Sequence, residues 1–304
     1  MRALVTGAGG FVGAHLVAHL EAEGDEVIGS DRAAGGPDLT DRDAVGQWIG
    51  QVRPEAVYHL GGFSDVGASW ADPAQAVDTN VIGTFNVLVG AHAVGVDRVL
   101  VAGSADVYGT VGSQDLPITE STPLRPVSPY GGSKAAADML ALQAFLGWGL
   151  ATLRVRAFNH LGPGQSDRFV ASSLAARIAQ NERTGHTEIA VGNLEARRDF
   201  TDVRDVVRAY RLLVLHGVAG EAYNVCSGIA VAVSELAARL LDRTDIAMTL
   251  EPDPARFRPV DVPVLVGDPS HLEQVTGWRR LLDLDTTLTD LLADHRNRLA
   301  REDC

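Results

Sequence analysis

Short apolar runs alternate with amphipathic stretches through the first half of the chain. Residues 3–6, 26–29, 56–60, 98–102 and 151–155 read as strands. Between them lie segments with apolar positions at helical spacing: 11–23 (Phe11, Val12, Leu16, Leu20), 41–52, 73–94 and 129–148. Strand and helix alternating at this period predict βαβ units, hence an α/β fold built on a doubly wound parallel sheet with helices on both faces. From about residue 159 the alternation loosens and Gly, Pro and Arg become frequent. There 204–216 and 233–241 read as helices with a strand over 221–225, and the charged residues near the C-terminus as a solvated helix. The expected layout is a dinucleotide-binding domain over 1–157, a smaller and mainly substrate-binding lobe over 158–304, and a return of the chain to the first domain around 199–226.

The first turn carries chemistry. Gly7-Ala-Gly9-Gly10-Phe11-Val12-Gly13 follows strand 3–6 directly and opens the helix at 11. Glycines there permit a tight turn, close approach of the backbone to a pyrophosphate and close helix–sheet packing. The helix N-terminus adds free N–H groups and positive dipole. This motif makes the sheet a Rossmann-type one. Eighteen residues beyond Gly13, Asp31 ends the second strand, where a carboxylate accepts from ribose hydroxyls and repels a 2′-phosphate. Arg32 beside it has the opposite tendency, so NAD(H) is favoured and NADP(H) stays open.

Composition then sharpens one residue. The chain is 304 residues long with a net charge of −13, which argues against nucleic acid or an anionic membrane surface as partner. Its two cysteines, Cys226 and Cys304, form no disulfide framework, and no apolar run spans a membrane; both point to the cytoplasm. Of 26 basic residues, 25 are arginine and one is lysine, Lys134. It stands four residues after Tyr130 in Tyr130-Gly-Gly-Ser-Lys134, one turn along the same helix face. Arginine is forked and more weakly hydrated, so a lone lysine there marks a site that needs a compact ammonium. A neighbouring ammonium is expected to lower the tyrosine's pKa, usually near 10, toward working pH. Ser104, after the fourth strand, is suited to hydrogen-bond a substrate oxygen. His15 and His19 are spaced HxxxH, but Leu16 replaces the glutamate a zinc protease needs, so they read as helix surface and no metal is expected.

Together these residues resemble the extended short-chain dehydrogenase/reductases, the NAD-dependent epimerase/dehydratase group, over nearly the whole chain. Asp38-Leu39, Asn80-Val-Ile-Gly-Thr84 and Val107-Tyr108-Gly109 extend the match. The resemblance implies catalysis by Ser104, Tyr130 and Lys134. It implies that Gly7, Gly10, Phe11, Val12, Gly13, Asp31, Arg32, Asp38, Leu39, Gly61, Gly62, Phe63 and Asn80 hold the dinucleotide, with Lys134 also on the nicotinamide ribose. Glycines at 61 and 62 depart from the family's more usual alanines. Asn159 corresponds to a substrate-binding asparagine, and Arg198 and Arg258 to diphosphate-binding arginines. Pro117, Pro123, Pro126 and Pro129 suggest a stiff loop over the pocket. The stretches RAFNHLGPGQS, VGNLEARRDFTDVRDVVRAY, YNVCSG and RPVDVPVLVGD are similar to reductases of GDP-linked 4-keto-6-deoxymannose. The related GDP-mannose 4,6-dehydratases carry a glutamate where this chain has Asp106. The resemblance thus implies an NAD(P)H-dependent reduction at C4 of a nucleotide sugar in a homodimer. A 4-epimerase or a 4,6-dehydratase is the alternative, and a non-catalytic dinucleotide sensor the remote one.

Overall fold

In the computed structural model, residues 1–32, 35–257 and 260–302 are described; Arg258 and Cys304 lie outside them. The chain opens with β1 (Arg2–Thr6), α1 (Phe11–Ala22), β2 (Glu26–Ser30), α2 (Arg42–Val52) and β3 (Ala56–His59). Then α3 (Ala68–Ala71) and α4 (Pro73–Val77) run through a π-helical turn, Asp78–Ile82, into α5 (Gly83–Val94). Next come β4 (Arg98–Ser104), α6 (Pro129–Trp148) and β5 (Thr152–Ala157). Beyond them follow β6 (Asn159–Leu161), α7 (Val170–Thr184), β7 (Glu188–Val191), β8 (Arg197–Asp202), α8 (Val203–His216) and β9 (Ala222–Val225). The chain closes with β10 (Ala230–Ala232), α9 (Val233–Leu241), β11 (Thr249–Pro252), β12 (Val264–Leu265), α10 (Ser270–Thr276) and α11 (Leu284–Glu302).

Six strands form one parallel sheet in the order β2-β1-β3-β4-β5-β9. Successive side chains of a strand face opposite ways, and β1 divides accordingly. Ala3 and Val5 join Leu16 and Leu20 of α1, α8 and Trp278 on one face. Leu4 joins Val45 and Ile49 of α2, Leu88 of α5 and Ala144 of α6 on the other. The sheet is therefore covered on both sides, which is why its strands read as continuous apolar runs. The winding reverses between β1 and β3, and the crevice at their carboxyl ends is where such sheets bind ligands.

A second core gathers α7, α9 and α11 around β7 and β8, with Leu174, Ile178, Leu236, Leu240, Leu288 and Leu291 buried. Strand β8 pairs with β6, β10 and β12, whereas the first core also takes in Val203, Val206 and Val207 of α8. It also reaches further along the chain, to Leu272 and Trp278.

Three expectations change. The helix expected over 73–94 is interrupted at Asp78–Ile82, a turn that leaves Asn80 buried and pointing back at Phe63. The C-terminal helix is amphipathic, since Leu288, Leu291 and Leu292 are buried. The proline-containing loop does not overhang the pocket. None of residues 107–128 lines the cleft, and Ile118 is buried, its N–H donating to the Val266 carbonyl and its own carbonyl accepting from Asp268 N, next to the cleft-lining Leu265.

Candidate active site

Thr6 ends β1 and Gly7 turns the chain with φ +71°. A Cβ on Gly7 would lie 2.8 Å from Gly61 N, and one on Gly13 only 2.0 Å from Gly7 O, so both positions require glycine. Gly10 precedes α1 with no side-chain cap, leaving the first N–H groups of the helix facing outward over the crevice. The space above them, enclosed by bare backbone, is a cradle of the kind a pyrophosphate fills. Asp31 packs under this loop: a Cβ on Gly9 would lie 3.1 Å from its Oδ2. Arg32 reaches Asp38 at 3.4 Å in an exposed pair. The Thr40 N–H and hydroxyl, more than Arg32, hold the Asp38 carboxyl below its usual range.

These groups line one cleft of about 830 Å³ that runs from Gly7–Gly13, Asp31, Arg32, Asp38 and Leu39 past Gly61–Phe63 to Ser104, Asp106 and Tyr130, and on to Asn159 and Arg198. Asn80 is not in its wall. It stands behind Phe63, accepting from Phe63 N at 2.8 Å and donating to Phe63 O at 3.1 Å. The glycines that replace the family's alanines are tightly seated, since a Cβ on Gly62 would fall 2.6 Å from Asn80 Oδ1 and 3.4 Å from Lys134 Nζ.

The reacting end is set by the start of α6. Ser128 caps the helix by accepting from Gly131 N, and Pro129 occupies its first turn, where no N–H is needed. Tyr130 and Lys134 follow on one face. Lys134 Nζ donates to the Ala102 carbonyl at 3.0 Å, and burial pushes its pKa down to about 8. Tyr130 is 8% exposed. Contrary to the expected lowering, its pKa is raised, chiefly by burial and then by the Asp106 charge, with a hydrogen-bonding contact from Ser104 opposing. The phenol is thus kept protonated, the state a proton donor needs. Ser104 Oγ donates to Asp106 Oδ2 at 3.1 Å and accepts from Asp106 N at 3.2 Å.

On the far wall, Arg198 is held by Asp261 Oδ1 at 2.6 Å and by the Val262 carbonyl at 2.7 Å, so the expected diphosphate ligand enters the cleft already ion-paired. His15 is half-buried rather than a surface residue, and its Nε2–H donates to the Pro163 carbonyl at 2.7 Å. His160 stacks on Phe11. Sequence reasoning missed Gln165, 3% exposed in the cleft wall. Its amide donates to the His160 carbonyl, and its Oε1 is buried without a partner. It also missed Arg168 and Phe169 at the lip. The GPGQ run preceding them was the available signal.

The glycine cradle and the buried Tyr130 share one cleft at the switch point of a parallel sheet. That combination defines the class: NAD(P)-dependent oxidoreductases and epimerases of the extended short-chain dehydrogenase/reductase type. Within it, the chain belongs to the GDP-mannose 4,6 dehydratase family, whose profile matches residues 4–291. It is 37% identical, over 99% of both chains, to the GDP-6-deoxy-D-mannose reductase of Pseudomonas aeruginosa. A GDP-mannose 4,6-dehydratase of Vibrio cholerae is 27% identical, over 91% of this chain and 89% of that one. The solved structure of RMD from Pseudomonas aeruginosa with NADPH superposes at TM-score 0.89, with 36% identity over 98% of this chain and all of that one. The UDP-glucose 4-epimerase of Thermotoga maritima with UDP-glucose superposes at 0.91, with 27% identity over 98% and 100%. Among the described residues, no helix is long and apolar enough to cross a membrane.

Proposed function

We propose that the protein reduces the C4 ketone of a nucleotide-linked 4-keto-6-deoxy sugar, GDP-4-keto-6-deoxy-D-mannose, to GDP-D-rhamnose or its C4 epimer. The observation that carries this reading is the 37% identity across 99% of both chains with a GDP-6-deoxy-D-mannose reductase. The first core and its glycine cradle hold the dinucleotide, with Asp31 and Arg32 at the adenosine ribose. The second lobe, with Asn159 and the Asp261-held Arg198, receives the sugar nucleotide. The resemblance adds Arg258 to that group.

A bound NAD(P)H supplies hydride to C4. The chain manages the oxygen. Tyr130, buried and protonated, gives its phenolic proton to the C4 oxygen as negative charge develops there. Ser104 turns its Oγ–H from Asp106 to that same oxygen. Lys134, held by the Ala102 carbonyl beneath Gly62, stabilises the phenolate left on Tyr130 and orients the ribose. Asp106 keeps Ser104 in its rotamer between turnovers.

Supplying GDP-4-keto-6-deoxy-D-mannose with NADPH or NADH should give stoichiometric loss of the reduced-nicotinamide absorbance. A hydride taken from C4 and returned to its opposite face, with the ketone turned over in the site between the two transfers, would make a 4-epimerase, a reading favoured by the 0.91 superposition on the Thermotoga enzyme. UDP-galactose formed from UDP-glucose without net oxidation would select that reading and reject the reductase.

We also propose a cytoplasmic homodimer formed through α5 and α6. Met139 and Leu146, seven residues apart on one face of α6, are 43% and 73% exposed, and Ile82 before α5 is 43% exposed. Leu146→Glu should shift the elution volume from dimer to monomer; an unchanged volume, or a monomeric parent, refutes this interface.

A further inference from the structure

His59 takes no part in the chemistry above, yet it sits 3% exposed at the last position of β3, directly before the cleft-lining Leu60–Phe63 stretch. Both ring nitrogens are engaged: Thr6 Oγ1 lies 2.8 Å from Nδ1 and Thr84 Oγ1 lies 3.0 Å from Nε2. The neighbours decide which nitrogen carries the hydrogen. Thr84 spends its one hydroxyl hydrogen on the Asn80 carbonyl, at 2.6 Å. It can therefore only accept from the ring, which puts the ring hydrogen on Nε2. Nδ1 is then bare and accepts the Thr6 hydroxyl hydrogen, while Thr6 Oγ1 accepts the Gly61 N–H at 3.0 Å. Every hydrogen points the same way, from Gly61 N through Thr6, the imidazole and Thr84 to Asn80 O. Such aligned chains strengthen one another in a dry interior.

One end of the chain is in the cleft wall and the other stands directly behind it. Gly61 is cleft wall. Asn80, fixed by its carbonyl in the π-helical turn, brackets Phe63 with its side chain and donates to Ser133 Oγ at 2.9 Å. Ser133 Oγ in turn donates to the Tyr130 carbonyl at 2.8 Å. A charged imidazole would break the sequence by turning Nδ1 into a donor, and would stand against the Lys134 cation. Burial first, and then that cation, push the His59 pKa down to about 3.

We infer that His59 is a positioning residue: as a neutral imidazole protonated on Nε2, it ties the Gly61 wall to the Asn80 turn and so fixes the dinucleotide cradle relative to the Tyr130 helix. The inference rests on the dinucleotide-dependent class alone, not on the identity of the sugar.

Two measurements without any sugar nucleotide test it. In protein labelled with nitrogen-15 in the imidazoles, one ring should show a bare Nδ1 and a protonated Nε2 that do not titrate between about pH 5 and about pH 9. A His59 ring with its hydrogen on Nδ1, or one that titrates in that range, overturns the proposal. Thr84 is buried and does not line the cleft, so its variants probe the chain without touching a ligand. Thr84→Val, which keeps the shape but removes the acceptor, should weaken NADPH and NADH binding by about 10-fold in calorimetric titration. Thr84→Ser, which restores the hydroxyl, should bind within about twofold of the parent, a difference well under one hydrogen bond. Equal affinity of Thr84→Val and the parent, or equal loss in both variants, overturns it. Because reduction is never measured, either failure leaves the proposed sugar chemistry untouched.

Discussion

Tyr130 gains a proton-holding environment and Lys134 loses part of its hold on one, from the same burial. Tyr130→Phe removes one oxygen and little volume. It should lower kcat by roughly 10²- to 10⁴-fold, the range general acid catalysis supplies, while the NADPH dissociation constant stays within about threefold. A kcat close to the parent's would remove Tyr130 from the proton step. These residues were legible because their chemistry is local: a tyrosine and a lysine one turn apart need only a helix to meet. The direction of the tyrosine's shift was not legible, since it depends on the Asp106 charge and on burial that only the fold creates. The pairing of Arg198 with Asp261 was equally hidden, joining residues 63 positions apart.

At the scale of elements, α6 is held by a charge network on the face that carries the site. Tyr130, Lys134 and Asp138 succeed one another every four residues. Asp138 is buried between two arginines of β5, accepting from Arg154 Nη1 at 2.7 Å and Arg156 Nε at 2.9 Å. Arg156 continues to the Tyr108 hydroxyl, which donates to Asn224 Oδ1 in β9. Removing one member of a buried set leaves uncompensated charge, so Asp138→Ala should destabilise the fold by about 3–5 kcal/mol. A chemical-denaturation midpoint within error of the parent would show that the network contributes little. Most elements of the first half could be read from the sequence, because each strand is an apolar run bounded by turn residues. In the second lobe the helix over 233–241 and the C-terminal helix were legible too, but the short strands were not. Its strands β6, β10 and β12 are only two or three residues long and gain their partners across long separations, leaving no periodicity to detect. The π-helical turn was invisible for the opposite reason, as it differs from its flanking helices by one hydrogen-bond step and not by composition.

For the molecule as a whole, the buried histidines give stability a direction with pH. His59, His160, His295 and His19 all have pKa values lowered chiefly by burial. Below about pH 6.5 the unfolded chain takes up protons on these rings that the native chain refuses. Their contribution is therefore intact above that pH and is lost as pH falls, for His59 until about pH 3. The lowered carboxyls Asp25, Asp38 and Glu182 act in the same sense at lower pH, while the raised Asp199 opposes them. The urea midpoint should fall steadily from about pH 7 to about pH 4; a flat or rising midpoint would mean that the rings are charged in the native state.

The lone lysine has a consequence for labelling. Apart from the α-amine of Met1, which is paired with Asp25 at 3.1 Å, the 304-residue chain offers an acylating reagent one primary amine. With its pKa pushed down to about 8, Lys134 exposes a nucleophilic lone pair at mildly alkaline pH, when ordinary lysines near 10.4 are still masked by their proton. A succinimidyl ester thus has two amines to find in this chain, and the mass added at Lys134 would measure how often the buried Nζ leaves the Ala102 carbonyl to meet the reagent.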